Sequence, residues 1–78
     1  MIYNRLAVVR TDVGLSRKEL AEKVDVNAQT IGFIERGDYF PSLELAFKLA
    51  RALSTEVTIL FSDKPLQSLY ITHEKETA

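Results

Sequence analysis

Apolar residues along this chain recur at steps of three and four, the period of helices that bury one side, and short turns interrupt the runs. Leu6, Val9 and Val13 form the first stripe. They predict a helix capped by Asn4 and running to about Val13, with Gly14 as its left-handed stop. Leu20, Ala21 and Val24 form the second stripe, and its start is strongly marked. Ser16 precedes Glu19 by three residues, the spacing of a capping box, and Leu15 and Leu20 flank the cap as a hydrophobic staple. This helix should end near Lys23 or Val24. Asp25 then takes the sharp turn, since Asp tolerates positive φ better than most residues. The start signal repeats at Asn27, a cap with Val26 and Ile31 as its staple. Ile31 and Ile34 are the inward side of a third helix, Gln29, Thr30 and Phe33 lie away from it, and Gly37 ends it.

Ser42 caps a fourth helix reaching about Leu53, and Pro41 blocks its extension backwards. Leu45, Ala46, Leu49, Ala52 and Leu53 are its core stripe. Leu43 and Phe47 fall on a second side and are read as further core. Residues 56–61, EVTILF, fit two readings. One is a short last helix with Val57, Leu60 and Phe61 inward; the other is a strand, given the β-branched content. Residues 2–3 can pair as a strand with the C-terminal part, where residues 68–72 form a second extended-looking piece. The pattern predicts an all-α, five-helix domain over residues 1–62, with a short β element from the N-terminus and the tail left open. Residues 63–78 form a C-terminal segment for dimerisation or partner binding. Two short helices flanking a tight turn, the second with polar residues at its front, are a way to push one helix into the major groove of DNA.

The 78 residues make one domain at most. A core this small leaves a stability of only a few kcal/mol, which dimerisation would supplement. The chain has no cysteine, which removes disulfides, thiolate catalysis and thiolate zinc sites. No run has the apolar length to span a bilayer and no leader pattern opens the chain, so a cytoplasmic location is expected. Net charge is −1, whereas many DNA-binding domains are strongly basic. Local placement matters more, because phosphates feel charge only within ~8–10 Å. Arg5, Arg10, Arg17, Lys18, Lys23 and Arg36 are interleaved with Asp12, Glu19, Glu22, Asp25 and Glu35. A modest positive face and weak non-specific affinity follow, with base reading carrying more of the discrimination. Catalysis is not expected. The chain has no glycine-rich phosphate loop, no metal-ligand cluster and no central His, and His73 is alone in a polar tail. No cofactor and no metal are called for.

Residues 16–37, SRKELAEKVDVNAQTIGFIERG, resemble the lambda-repressor-like helix-turn-helix proteins of the xenobiotic-response-element (XRE) family. The similarity extends over about residues 4–62, through NRLAVVR, GLSRKELAEKV, QTIGFIERGDYFPSLELAFKLARAL and VTILFS. Small Ala21 stands where the second and third helices must cross closely, and spacing, caps and core positions agree. The resemblance implies base contacts from the front of the third helix, here Asn27, Ala28, Gln29, Thr30 and Phe33. Gln29 can pair bidentately with adenine, worth ~1–3 kcal/mol of discrimination. It also implies phosphate contacts from Arg17, Arg36 and Tyr39, aided by the positive end of the second helix. Arg10 and Glu35 match positions that pair in relatives, tying the first helix to the end of the third.

Three positions depart from the family pattern. Asp25 replaces the usual glycine, at ~1 kcal/mol for a left-handed non-glycine residue. Ala28 stands where a long polar or basic side chain is common, and Phe33 replaces a residue that is often polar. The function implied is that of a homodimeric repressor bound to double-stranded DNA at a palindromic operator. Its dimer surface is expected C-terminal to the motif, within residues 53–61 and 65–72. The rival is an antitoxin-type protein that also binds a toxin, with EVTILF as the joining strand and residues 64–78 holding the partner.

Overall fold

The computed structural model describes residues 1–66. In chain order it forms β1 (Tyr3–Asn4), α1 (Leu6–Asp12), α2 (Arg17–Val24), α3 (Ala28–Arg36), α4 (Leu43–Ala52), α5 (Val57–Leu60) and β2 (Phe61–Ser62). The fold is all-α and lambda-repressor-like, with one minor β element. β1 and β2 pair antiparallel, Tyr3 opposite Ser62 and Asn4 opposite Phe61. Both readings of residues 56–61 are therefore realised in succession, a single helical turn and then a strand. The N-terminal strand lies one residue later than expected. Residues 68–72, the second extended-looking piece, lie outside the described residues.

Four helices stop by one device. Gly14, Asp25, Gly37 and Ser54 all have positive φ. The amide after each one donates back to a carbonyl five residues earlier: Leu15 to Arg10, Val26 to Ala21, Asp38 to Phe33, and Thr55 to Ala50. These bonds satisfy carbonyls that each helix end leaves without an intrahelical partner. Asp25 adopts φ 61° and ψ 47°, the left-handed turn expected of it. Ser54 has no sequence signal of comparable strength. At the other ends, Ser16 and Glu19 form the complete capping box, and the Ser42 hydroxyl accepts the Leu45 amide.

Leu6, Leu20, Ile31, Ile34, Leu49 and Leu60 are fully buried, joined by Ala21, Val24, Ala50 and Leu53. α2 packs against both α3 and α4, α4 holds α5, and α1 meets α3. Several expectations are corrected. Val13 is exposed, because α1 has already ended at Asp12 and the chain turns away from the core there. Leu43 and Phe47 are exposed, at 71% and 47%. Ala46, Leu49, Ala50 and Leu53 supply the buried side of α4 instead, while Leu45 and Ala52 are only half-buried. Asn4 lies in β1 one residue ahead of the N-cap position. Its Oδ1 nevertheless accepts the Leu6 amide at 3.0 Å, while its Nδ2 donates to the Ile34 carbonyl at 3.0 Å. One side chain thus joins the start of α1 to α3.

Candidate functional site

Glu35, in the last turn of α3, is the centre of the polar architecture. Its side chain is only 3% exposed, and two arginines hold it from different helices. Arg10 of α1 approaches side-on, with Nε 2.6 Å from Oε2 and Nη2 3.4 Å from Oε1. Arg10 Nη1 donates to the Leu15 carbonyl ahead of α2 at 2.9 Å. Arg17, the first residue of α2, donates from Nε to Oε1 at 2.9 Å. This buried carboxylate is fully engaged, as a charge removed from water must be. It locks α1, α2 and α3 together beside the helix-turn-helix surface.

The residues singled out from sequence fall into two groups. Arg17, Ala28, Gln29, Phe33 and Arg36 line one concavity of about 330 Å³, together with Gly32. Asn27, Thr30 and Tyr39 stand outside it. Asn27 is the N-cap of α3, but its side chain caps no backbone amide. Its Oδ1 accepts the Thr30 hydroxyl instead, at 3.2 Å. Two groups expected to face outward for contacts are therefore turned toward one another. Ala28 is half-buried against the core rather than fully at the front, because the first turn of α3 tilts its methyl inward. Gln29 is exposed. Phe33 is exposed too, and the Arg36 guanidinium lies over its ring, 5.1 Å from the centroid. Arg36 Nε also faces Asp38 Oδ2 at 3.3 Å, while Tyr39 is about half exposed.

Gly32 was not singled out from sequence. It is buried although it lies on the outward side of α3, because the two arginine ends cover it. A Cβ at this position would sit 3.3 Å from Arg36 Nη1 and 3.6 Å from Arg17 Nη1. The available signal was its spacing, four residues after Ala28 and four before Arg36. At the start of α2, hydrogen bonds from Ser16, first from its backbone, hold the Glu19 carboxyl below its ordinary value. Among the described residues, no helix is long and apolar enough to cross a membrane.

A second surface is apolar. Ile2, Phe40, Pro41, Leu43, Ala46, Val57 and Phe61 line a groove of about 310 Å³, with exposed Phe47 and Ile59 on the same pair of helices.

Comparison with known proteins bears on the first surface. Residues 6–60 match the family model HTH_3, described as helix-turn-helix. A protein of Archaeoglobus fulgidus described as an uncharacterized HTH-type transcriptional regulator is 44% identical over 57 residues, which cover 73% of this chain and 81% of that one. The Bacillus subtilis HTH-type regulator YgzD is 41% identical over 58 residues, covering 74% and 88%. Among solved structures, the restriction-modification controller protein C.AhdI from Aeromonas hydrophila superposes with a TM-score of 0.65 at 40% identity, over 68% of this chain and 77% of that one. A putative DNA-binding protein from Bacteroides fragilis superposes with a TM-score of 0.74 at 27% identity, over 80% and 100%.

Proposed function

This chain belongs to the HTH_3 helix-turn-helix family and is a DNA-binding transcriptional regulator, and from that premise we propose that it acts as a homodimeric repressor at a palindromic operator. The observation that carries this reading is the outward surface of α3. Gln29 is exposed there, in one concavity with two arginines and Phe33, on a helix that α2 and the Arg10–Glu35 pair hold in place. In this reading α3 enters the major groove, Gln29 pairs with an adenine, and the exposed Phe33 packs on a thymine methyl. Arg36 and Tyr39 grip the adjacent phosphates, which fixes register without reading sequence.

A single module buries only ~600–1,000 Å² on DNA, too little for operator-level specificity. Two modules on a two-fold axis read half-sites about one helical turn apart, ~34 Å. What supports the dimer is the apolar groove bearing Ile2, Phe40 and Leu43, all exposed in the single chain. Its centre lies on α4 and the turn before it, N-terminal to the stretch that sequence alone favoured. Occupying a promoter as a dimer excludes polymerase, and repression follows.

The test is selection of bound sequences from a random DNA library at stated salt, for the wild-type chain and for Gln29→Ala. A two-fold symmetric consensus is expected. The substitution should cost ~1–3 kcal/mol on the selected site and relax preference at one base pair per half-site. Equal weakening on all sequences would show that Gln29 does not read bases.

A further inference from the structure

Gly32 sits in the middle of α3, where glycine weakens a helix by ~0.5–1 kcal/mol relative to alanine. Its φ is not in the left-handed region, so the backbone does not require it. A Cβ here would be in ordinary contact with Arg17 Nη1 and Cζ, at 3.6 and 3.7 Å, and tight against Arg36 Nη1 at 3.3 Å, so a side chain longer than a methyl is what would displace the arginine ends. Two guanidinium groups therefore rest on the outward surface of the helix, between Gln29 and Phe33 in the same concavity.

The two arginines are held differently. Arg36 faces Asp38, itself 63% exposed, and lies over the Phe33 ring. Arg17 is braced through Nε by the Glu35 carboxylate, which is 3% exposed and locked in turn by Arg10. That brace fixes the plane of the Arg17 fork and leaves its Nη1–Nη2 end directed over α3. A planar end with two parallel donors matches the O6 and N7 acceptors of guanine in the major groove. A phosphate can accept the same fork, so the two contacts are told apart by whether the loss on substitution depends on base sequence.

We infer that Arg17 reads a guanine through its Nη1–Nη2 end, which rests over the small Gly32 where a bulky side chain would displace it, with Glu35 positioning it. This assignment rests on the DNA-binding reading above and changes the role of Arg17 from phosphate contact to base contact. It places a guanine in each half-site beside the base pair that Gln29 faces.

The experiment is the same library selection, followed by titrations on a panel varied one base pair at a time and across a salt series. It compares the wild-type chain with Arg17→Lys, which keeps the charge but loses the fork, and Gly32→Leu, which keeps Arg17 but fills its seat. Thermal melts establish that each variant is folded. Both variants are expected to lose a guanine preference of about 5- to 150-fold at one base pair, while the preference set by Gln29 persists. The inference is overturned if Arg17→Lys retains the guanine preference. It is overturned equally if Gly32→Leu retains it. A third overturning result is an Arg17→Ala variant weakened equally on every sequence, with a salt slope smaller by ~0.9, the loss of one phosphate contact. A wild-type chain with no preferred sequence sinks the DNA-reading proposal as well, whereas a site that depends on Gln29 but not on Arg17 sinks this inference alone.

Discussion

Replacing Glu35 with leucine should remove much of the stability of this protein. The magnitude follows from who is left behind. Arg10 is only 15% exposed, and Glu35 is its carboxylate partner in bonds of 2.6 and 3.4 Å. Removing one partner of a buried pair leaves an uncompensated charge and costs about 3–5 kcal/mol. Arg17 is 48% exposed on its side chain, so losing its bond to Glu35 adds at most ~1 kcal/mol. A chain of 78 residues has a total stability of about 4–12 kcal/mol. Glu35→Leu should therefore lower the melting temperature by roughly 12–48 °C. Arg10→Met leaves Glu35 with Arg17 alone and should be nearly as harmful. Replacing both together should return stability close to wild type, since a well-packed apolar pair often equals a buried ion pair.

The assay is urea unfolding followed by circular dichroism at fixed protomer concentration, completed as a double-mutant cycle. With single losses of about 3–5 kcal/mol each and a double mutant near wild type, a coupling energy on the order of 6–10 kcal/mol is expected between Arg10 and Glu35. A Glu35→Leu loss under ~1 kcal/mol, or a coupling near zero, would refute the reasoning. The doubly substituted protein also separates stability from orientation. It should fold, yet read its half-site less selectively, because Arg17 then has no brace.

Two further outcomes follow from other parts of the molecule. Leu43→Lys combined with Phe47→Glu should convert the proposed dimer to a monomer in light scattering without destabilising that monomer, since both side chains are exposed in the single chain; an unchanged dimer would move the interface elsewhere. The Glu19 carboxyl is held below its ordinary value of 4.5, first by the Ser16 backbone hydrogen bond. Its contribution to stability is thus present above 4.5 and lost as pH falls through the lower folded-state value. The melting-temperature advantage of wild type over Glu19→Gln should shrink on acidification below 4.5, and an advantage that grows there would contradict the assignment.

What was legible in sequence depended on whether the cause was local. The start of α2 is decided within residues 15–20, by a cap and a staple that need nothing distant, and the structure shows the cap as read. Asp25 is likewise local, since an αL residue after a short apolar helix has few alternatives. Leu43 and Phe47 misled because spacing on α4 defines an apolar side without saying whether anything covers it. Residues 56–61 were ambiguous because one turn of helix and one strand both bury Leu60, and pairing with β1 decides where the helix ends. Within the site, Arg10 and Glu35 were found through family resemblance, being 25 positions apart in sequence. The seat at Gly32 escaped because it exists only once Arg17, on another helix, lies across it.

The low net charge acquires a physical role from this geometry. Arg10, Arg17 and Arg36 each give their Nε to a carboxylate, Glu35 or Asp38. Those acidic residues reduce the long-range attraction to phosphates, which sets non-specific affinity. In return they orient the planar ends of Arg17 and Arg36, and bidentate pairing depends on orientation as well as on charge. A lysine-rich surface of the same fold would gain affinity for every sequence alike, and discrimination is a difference of affinities. The acidic partners beside α3 therefore favour selectivity over tightness, and the proposed dimer would restore the affinity that each half gives up, by having two such surfaces bind together.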